Sequence, residues 1–245
     1  KGNGVDPLEI IAQGYGADAL RTYLMFAAPL ELWIRWDPQG VPGTYRFLNR
    51  VWNLTQEFCE FLQSQESRVK SQGVDAAAST KAQRPDGVIL SESEESSTKV
   101  KEDLSTPPAA AGSVQDDKAS GIAILRAIHP TIQKVTADLE AQRYNTAIAA
   151  MMEVTNTLYA LKAKDGFADR AAWQTALESL VAMVAPFAPH IADELWHDLG
   201  RNTSVQRDSW PALDEQYLVK DTITLAVQVN GKLRGALKVP AAADK

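Results

Sequence analysis

The sequence predicts a mainly α-helical protein, an antiparallel helix bundle closed by a C-terminal β-hairpin. Three observations predict it. Apolar side chains recur at three- and four-residue steps over most of the chain. Asp-Pro pairs and glycines punctuate those stretches where helices start and stop. After Trp210-Pro211 the apolar period falls from 3.6 to 2. Short connections between the helical stretches imply antiparallel neighbours, about six or seven helices in all.

At the N-terminus, Asp6 can cap and Pro7 suits the first helical position, so a short helix runs through Glu9–Gln13 and stops at Gly14. A second helix spans Ala17 to Ala27, with Leu20, Tyr23, Leu24 and Phe26, and ends before Pro29. Asp18 and Arg21, three apart on it, read as a helix-surface ion pair. A tryptophan-rich connector, Leu32–Trp36, leads to Asp37-Pro38, which is expected to start a long helix.

That long helix carries two faces. Val41, Tyr45, Leu48, Val51 or Trp52, Thr55, Phe58 and Phe61 or Leu62 make an apolar stripe. Arg46, Arg50 and Asn53 recur at the same step elsewhere, with Asn49 beside them. At about 100° per residue, Arg46 lies roughly 200° from Leu48, so the two lines face different ways. A guanidinium line backed by a docked face suits a phosphate backbone, because the planar fork pairs with phosphate oxygens. Two exposed arginines are also ordinary solvent chemistry, and spacing alone leaves both readings open.

From Gln65 to Ser120 the pattern collapses. The segment has no aromatic residue, and its ten acids and seven bases carry half of the net charge of -6. It cannot bury enough apolar area to offset its ordering entropy, and is expected to be a disordered insertion between two helices of one bundle. Helical periodicity returns at Ile122 and runs to about Gln142, with Pro130 bending that helix or sitting in its first turns. Asn145 is expected to cap the next helix, through Leu161. A further helix follows from Asp169 to Val184, and Pro186–Pro189 breaks it before a short helix over His190–Leu199.

At the C-terminal end, Ile223, Leu225, Val227 and Val229 alternate with small or polar residues on one side of Asn230-Gly231, with Leu233, Leu237 and Val239 on the other. Face consistency favours a three-residue loop, setting Val229 opposite Leu233, Leu225 opposite Leu237 and Ile223 opposite Val239, or a bulge beside Asn-Gly. Arg234 and Lys238 then share the polar face. An isolated hairpin is marginal in water, so the chain reads as truncated here.

Composition narrows the function classes. A single cysteine, Cys59, excludes an internal disulfide and a thiolate metal cluster, and reads as a small buried hydrophobe. No apolar run approaches the ~20 residues of a membrane span, and no secretory layout opens the chain, so a cytoplasmic protein without a membrane partner is expected. No phosphate-cradling glycine loop, Gly-x-Ser-x-Gly elbow or His-Glu-x-x-His is present. His190, Glu194 or Asp193, and His197 share one helix, but only His129 is left to complete a metal set, so no metal site and no catalytic residue is assigned. The candidate nucleic-acid-binding residues are Arg46, Arg50, Asn53 and Asn49 on the long helix, Lys134 and Arg143 on facing helices, and Arg234 and Lys238 in the hairpin.

Several short motifs occur in a telling order: Lys1-Gly2-Asn3, Asp6-Pro7, Tyr15-Gly16-Ala17-Asp18-Ala19-Leu20-Arg21, then Arg46-Phe47-Leu48-Asn49-Arg50-Val51-Trp52. Asn145-Thr146-Ala147-Ile148, Pro186-Phe187-Ala188-Pro189-His190 with Trp196, and Trp210-Pro211 continue it. The whole resembles class I aminoacyl-tRNA synthetases of the Leu/Ile/Val group. Val227–Arg234 and the Gly40/Gly43 start of the long helix favour a similarity to bacterial-type leucyl-tRNA synthetases. The resemblance implies that 1–36 is the connecting segment after an absent ATP-phosphate signature loop. It implies that 37–200 is the helical anticodon-binding-type domain, with the insertion at 65–120, and that 201–245 is a linker and the truncated start of a C-terminal β-containing domain. It further implies that the whole enzyme uses ATP and magnesium, that this fragment holds no cofactor, and that its partners are leucine tRNA and the missing catalytic and editing domains. The implied role is to brace the tRNA, which agrees with the candidate binding residues read from spacing, Arg46, Arg50, Asn53, Asn49, Lys134, Arg234 and Lys238. The valyl or isoleucyl enzyme and a helical scaffold that binds no RNA stay open as alternatives.

Overall fold

The computed structural model describes residues 5–29, 31–33, 36–79, 113–218, 222–229 and 232–240, with backbone only over 68–79, 113–118 and the two strands. Its helices are α1 (Pro7–Ile10), α2 (Gly16–Phe26), α3 (Gly40–Ser79), α4 (Ser113–Glu140), α5 (Tyr144–Asp165), α6 (Arg170–Val184) and α7 (Pro189–Asp198). None among the described residues is long and apolar enough to cross a membrane. The protein is mainly helical.

Local chemistry sets most ends. The Asp6 side chain accepts from the Leu8 amide at 2.9 Å with Pro7 at the first position, and α1 passes through a π-turn (Ile11–Tyr15) into α2. Asp169 caps α6 by accepting from the Ala172 amide at 3.0 Å. The long helix begins at Gly40, two residues after Pro38, and Asp37 leads into it as expected, its side chain accepting from the Gln39 amide at 2.9 Å and its carbonyl from the Gly40 amide at 3.1 Å. Gly40 is required there: a Cβ would fall inside the Tyr23 ring, whose hydroxyl accepts from the Asp37 amide at 3.0 Å.

The corner between α4 and α5 also departs from expectation. Arg143 donates its amide to the Asp138 carbonyl and Gln142 to that of Leu139, the paired bonds of a Schellman close, with Gln142 at φ 57° where glycine is usual. The chain therefore turns early, α5 starts at Tyr144, and Asn145 lies inside the helix rather than capping it. Pro130 sits within α4, well past its first turns.

Helical backbone also enters both ends of the segment expected to lack structure: α3 runs on to Ser79 and α4 starts at Ser113. A helix already nucleated by packing propagates cheaply through Gln, Glu, Lys, Arg and Ala, whatever their hydrophobicity. Residues 80–112 lie outside the described part.

Packing follows an up-down-up-down plan. α4 lies against both α5 and α6, while α3 contacts α2, α5, α6 and α7. Leu54, Phe58, Ile124, Ile128, Ile132, Ile148, Met151, Leu158, Trp173, Leu177 and Leu180 fill one core. Phe167 knits it, its ring 5.3 Å from Phe58 and 5.0 Å from Trp173, both edge-on. The buried face of α3 is wider than its stripe. Phe47 and Leu54 are buried as well, whereas Tyr45 and Trp52 are only half-buried. The reason is that α5 flanks this helix on one side and α2 with α7 on the other.

After α7 the linker runs back along α4. The Trp210 indole donates to Thr136 Oγ1 at 2.8 Å, and the Asp214 amide donates to His129 Nδ1 at 3.2 Å. Residues Thr222–Val229 (β1) and Lys232–Pro240 (β2) then pair antiparallel, with Leu225 opposite Leu237 and Ile223 opposite Val239. A register shift between Val227 and Gln228 sets Val229 opposite Lys232, not Leu233, and leaves Arg234 as the extra residue of the bulge. Asn230 and Gly231 lie outside the described residues.

Candidate nucleic-acid interface

The surface of interest is the outward line of α3. Arg46, Arg50 and Asn53 are exposed, and Asn49 is half-buried beside them. Neither arginine pairs with an acidic side chain among the described residues. Glu57, the acid that continues this line, is ion-paired to Lys162 of α5, so it does not cancel the cationic end.

Arg50 is held. Its Nη1 donates to Asn156 Oδ1, and its guanidinium carbon lies 4.6 Å above the centre of the Tyr159 ring. The Tyr159 hydroxyl donates to the Arg50 carbonyl at 3.0 Å. α3 and α5 therefore run parallel here, Arg50 meeting Asn156 and Tyr159, and Glu57 meeting Lys162. Between them is a groove of about 390 Å³ lined by Gly43, Arg46, Phe47, Arg50, Met152, Thr155 and Asn156. Sequence reasoning missed Asn156 and Tyr159. Their signal was weak: an aromatic residue next to, not within, the apolar stripe of α5.

Lys134 and Arg143 are used differently. Lys134 Nζ lies 2.9 Å from Asp138 Oδ2, and Arg143 reaches Oδ1 of the same carboxylate at 3.0 Å. Asp138 is 3% exposed. Burial alone would push its carboxyl up, but hydrogen bonds from Lys134, Thr146 and Arg143 and the Lys134 charge hold it below the ordinary range. A buried carboxylate needs its cations, so this pair, though exposed, also holds the α4–α5 corner. Arg234 and Lys238 lie on β2, Lys238 opposite Thr224, and their side chains are outside the described part.

Asn49 borders a second cleft, of about 590 Å³, among α2, α3 and α7, lined also by Tyr15, Tyr45, Trp52, His190 and Glu194. Across its floor Asp18 accepts from the Ile191 amide at 2.8 Å and sits 2.8 Å from His190 Nδ1. The expected Asp18–Arg21 pair is replaced by this tether. α7 has no side-chain cap of its own, Ala188 standing at its start, so an acceptor from another helix satisfies its first turn. That missing cap was the available signal.

The three histidines do not converge. His190 faces Asp18, His197 Nδ1 lies 2.8 Å from the Asp193 carbonyl, and His129 is buried against Tyr217, rings stacked at 4.9 Å. Burial pushes the His129 pKa down from its ordinary value, with Asp214 pulling the other way. Among the described residues no three His, Cys, Asp or Glu side chains gather as metal ligands. Cys59 is buried, donates to the Asp198 carbonyl at 3.3 Å, and has its thiol pushed up to about 11 by burial, with Asp198 and Glu60 adding to it.

Comparison with known proteins places this geometry. The chain is 38% identical over 247 residues to a leucine–tRNA ligase of Synechococcus sp. (strain JA-3-3Ab), covering 98% of this chain and 23% of that protein. Against the leucine–tRNA ligase of Geobacter sp. (strain M21) it is 37% identical over 242 residues, 98% of this chain and 24% of that protein. The chain thus spans about a quarter of the length of the curated relatives it matches. Among solved structures it resembles the Agrobacterium radiobacter K84 agnB2 LeuRS in its ternary complex with tRNA and LeuAMS, with a TM-score of 0.66, 30% identity, all of this chain covered and 25% of that one. The family model for the anticodon-binding domain of tRNA ligase matches residues 122–245, half of the chain, and the chain therefore belongs to that family.

Proposed function

We propose that this chain is the tRNA-binding and positioning portion of a leucine–tRNA ligase. The observation that carries the reading is the line Arg46, Arg50 and Asn53, exposed and without acidic partners among the described residues, on a fold like that of a leucyl-tRNA synthetase solved with tRNA. Each guanidinium would pair with backbone phosphate oxygens, and Asn53 and Asn49 would add amide hydrogen bonds. Such contacts fix register on the RNA and carry little sequence information. Lys134 contributes only charge beyond what Asp138 takes up, and Arg234 and Lys238 of β2 would add two further cations.

In this reading 1–36 connects to the rest of the enzyme, 37–200 is the bracing bundle, and 201–245 with its paired strands begins a further domain. Joining leucine to tRNA at the expense of ATP belongs to the whole ligase. No cofactor is assigned to this portion in the proposal, since its sequence carries no phosphate-cradling glycine loop.

The test is binding of leucine tRNA to the chain across a salt series from about 50 to 200 mM. The expected result is affinity that falls linearly on a log–log plot, with a slope reduced by about 0.7–0.9 for each arginine replaced by alanine. Competition with valine and isoleucine tRNAs examines the choice of amino acid. A flat salt response, or no binding at low salt, overturns the reading in favour of a helical scaffold for protein partners.

A further inference from the structure

We propose that Tyr159 and Asn156 of α5 are positioning residues for the Arg50 guanidinium, presenting it to an RNA phosphate across the α3–α5 groove. The proposal rests on the tRNA-binding reading above and adds to it which contact is built in advance.

Three contacts converge on one residue. The Tyr159 ring supports the flat face of the guanidinium at 4.6 Å, Asn156 Oδ1 takes one N–H of Nη1, and the Tyr159 hydroxyl fixes the Arg50 backbone at 3.0 Å. Arginine carries five N–H donors and no acceptor. One donor is used on Asn156, so the outer edge of the fork keeps donors for a phosphate. The Asn156 amide nitrogen is a further donor on the same rim, and Asn156 is exposed. The neighbouring cation, Lys162, lies 5.7 Å from the same ring but is neutralised by Glu57, so it does not push Arg50 off its platform.

The physical gain is entropy. A free arginine side chain samples many rotamers, and freezing it on binding costs affinity, so a side chain held before the RNA arrives loses less. Stacking leaves the hydrogen-bonding edge clear, because the π face contacts the flat side of the fork and not its rim. Arg46, one turn earlier, lines the same groove with no such platform among the described residues. Arg50 is thus the geometrically defined contact and Arg46 an adaptable charge.

The experiment is a double-mutant cycle on leucine tRNA binding by the 245-residue chain at low salt. Tyr159→Leu is expected to weaken binding about three- to tenfold, Tyr159→Phe to restore most of it because the ring remains, and Asn156→Ala to cost about two- to threefold. Combined with Arg50→Ala, neither Tyr159→Leu nor Asn156→Ala should weaken binding further, since nothing is left to position. A merely structural role gives additive losses in the cycle, and that outcome overturns the proposal, as does wild-type binding by a folded Tyr159→Leu chain. Should Tyr159→Leu unfold, the exposed Asn156 cycle decides alone. Failure of the wild-type chain to bind tRNA sinks the underlying reading; binding that depends on Arg50 but is indifferent to Tyr159 and Asn156 sinks only this inference.

Discussion

Two cationic sites on this bundle are built from similar residues and do opposite work. On α3, Arg46 and Arg50 stand exposed with no acid beside them among the described residues. At the α4–α5 corner, Lys134 and Arg143 converge on one buried carboxylate, Asp138. Spacing along the sequence cannot separate the cases, because both are cations on the flank of an apolar stripe. What separates them is where the nearest acid ends up. A carboxylate turned into the core recruits its cations and offsets their charge even though both stay exposed, whereas Glu57, the acid that continues the α3 line, is drawn off by Lys162 and leaves the arginine charge uncancelled.

That contrast can be broken most directly from the α3 side. Replacing Arg46 and Arg50 together with alanine is expected to weaken leucine tRNA binding about tenfold per arginine at low salt, leaving the melting temperature close to wild type. A large loss of stability instead would mean the arginines serve the bundle. From the other side, Asp138→Ala should destabilise the fold by about 1–3 kcal/mol, since the hydrogen bonds from Lys134 and Arg143 to a buried carboxylate are lost, and thermal or urea melts will show it. Its effect on tRNA binding, measured on the folded population, should be small.

His129 sharpens the comparison as a group that could be cationic but is kept neutral. Its folded pKa is lowered, mainly by burial, and its Nδ1 accepts from the Asp214 amide. Below the ordinary histidine pKa the unfolded chain binds the proton more readily than the folded one. The stability this site contributes is therefore present above about pH 6.5 and lost as pH falls through the folded value. Melts between about pH 7.5 and 5 should show the decline, with His129→Gln flattening it. The smallest effect belongs to Lys134→Ala. With its amine half-exposed and one of two cations on Asp138, its loss should cost under about 1 kcal/mol and leave the salt slope of RNA binding nearly unchanged. A slope reduced as much as by an arginine change would return Lys134 to the interface.

How far the sequence could be read follows from the same physics. Helix α6 was legible to within one residue, its end at Val184 as expected and its start at Arg170, because Asp169 caps it locally and Pro186 stands beyond its end. The α3 stripe was legible in direction but not width, since Phe47 and Leu54 are buried by a second flanking helix that periodicity does not count. The start of α5 was misplaced because one local signal overrode another: the Schellman close at Gln142 turns the chain before Asn145 can cap. Within the candidate site, the exposed arginines could be named from spacing. The Tyr159 platform and the Asp18 tether could not, because each joins residues more than a hundred positions apart.

Those distant joins carry a consequence for how this protein can change over time. Asp18 to α7 and Arg50 to α5 are both ties between helices that stand on either side of segment 80–112 in the sequence, so the α3 arginine line takes part of its shape from partners on the far side of that segment. Doubling the length of such a connection adds only about 0.6 kcal/mol of closure entropy. A change in the length of that stretch therefore costs the ties between the two sides little, and the shape they give the arginine line can outlast it.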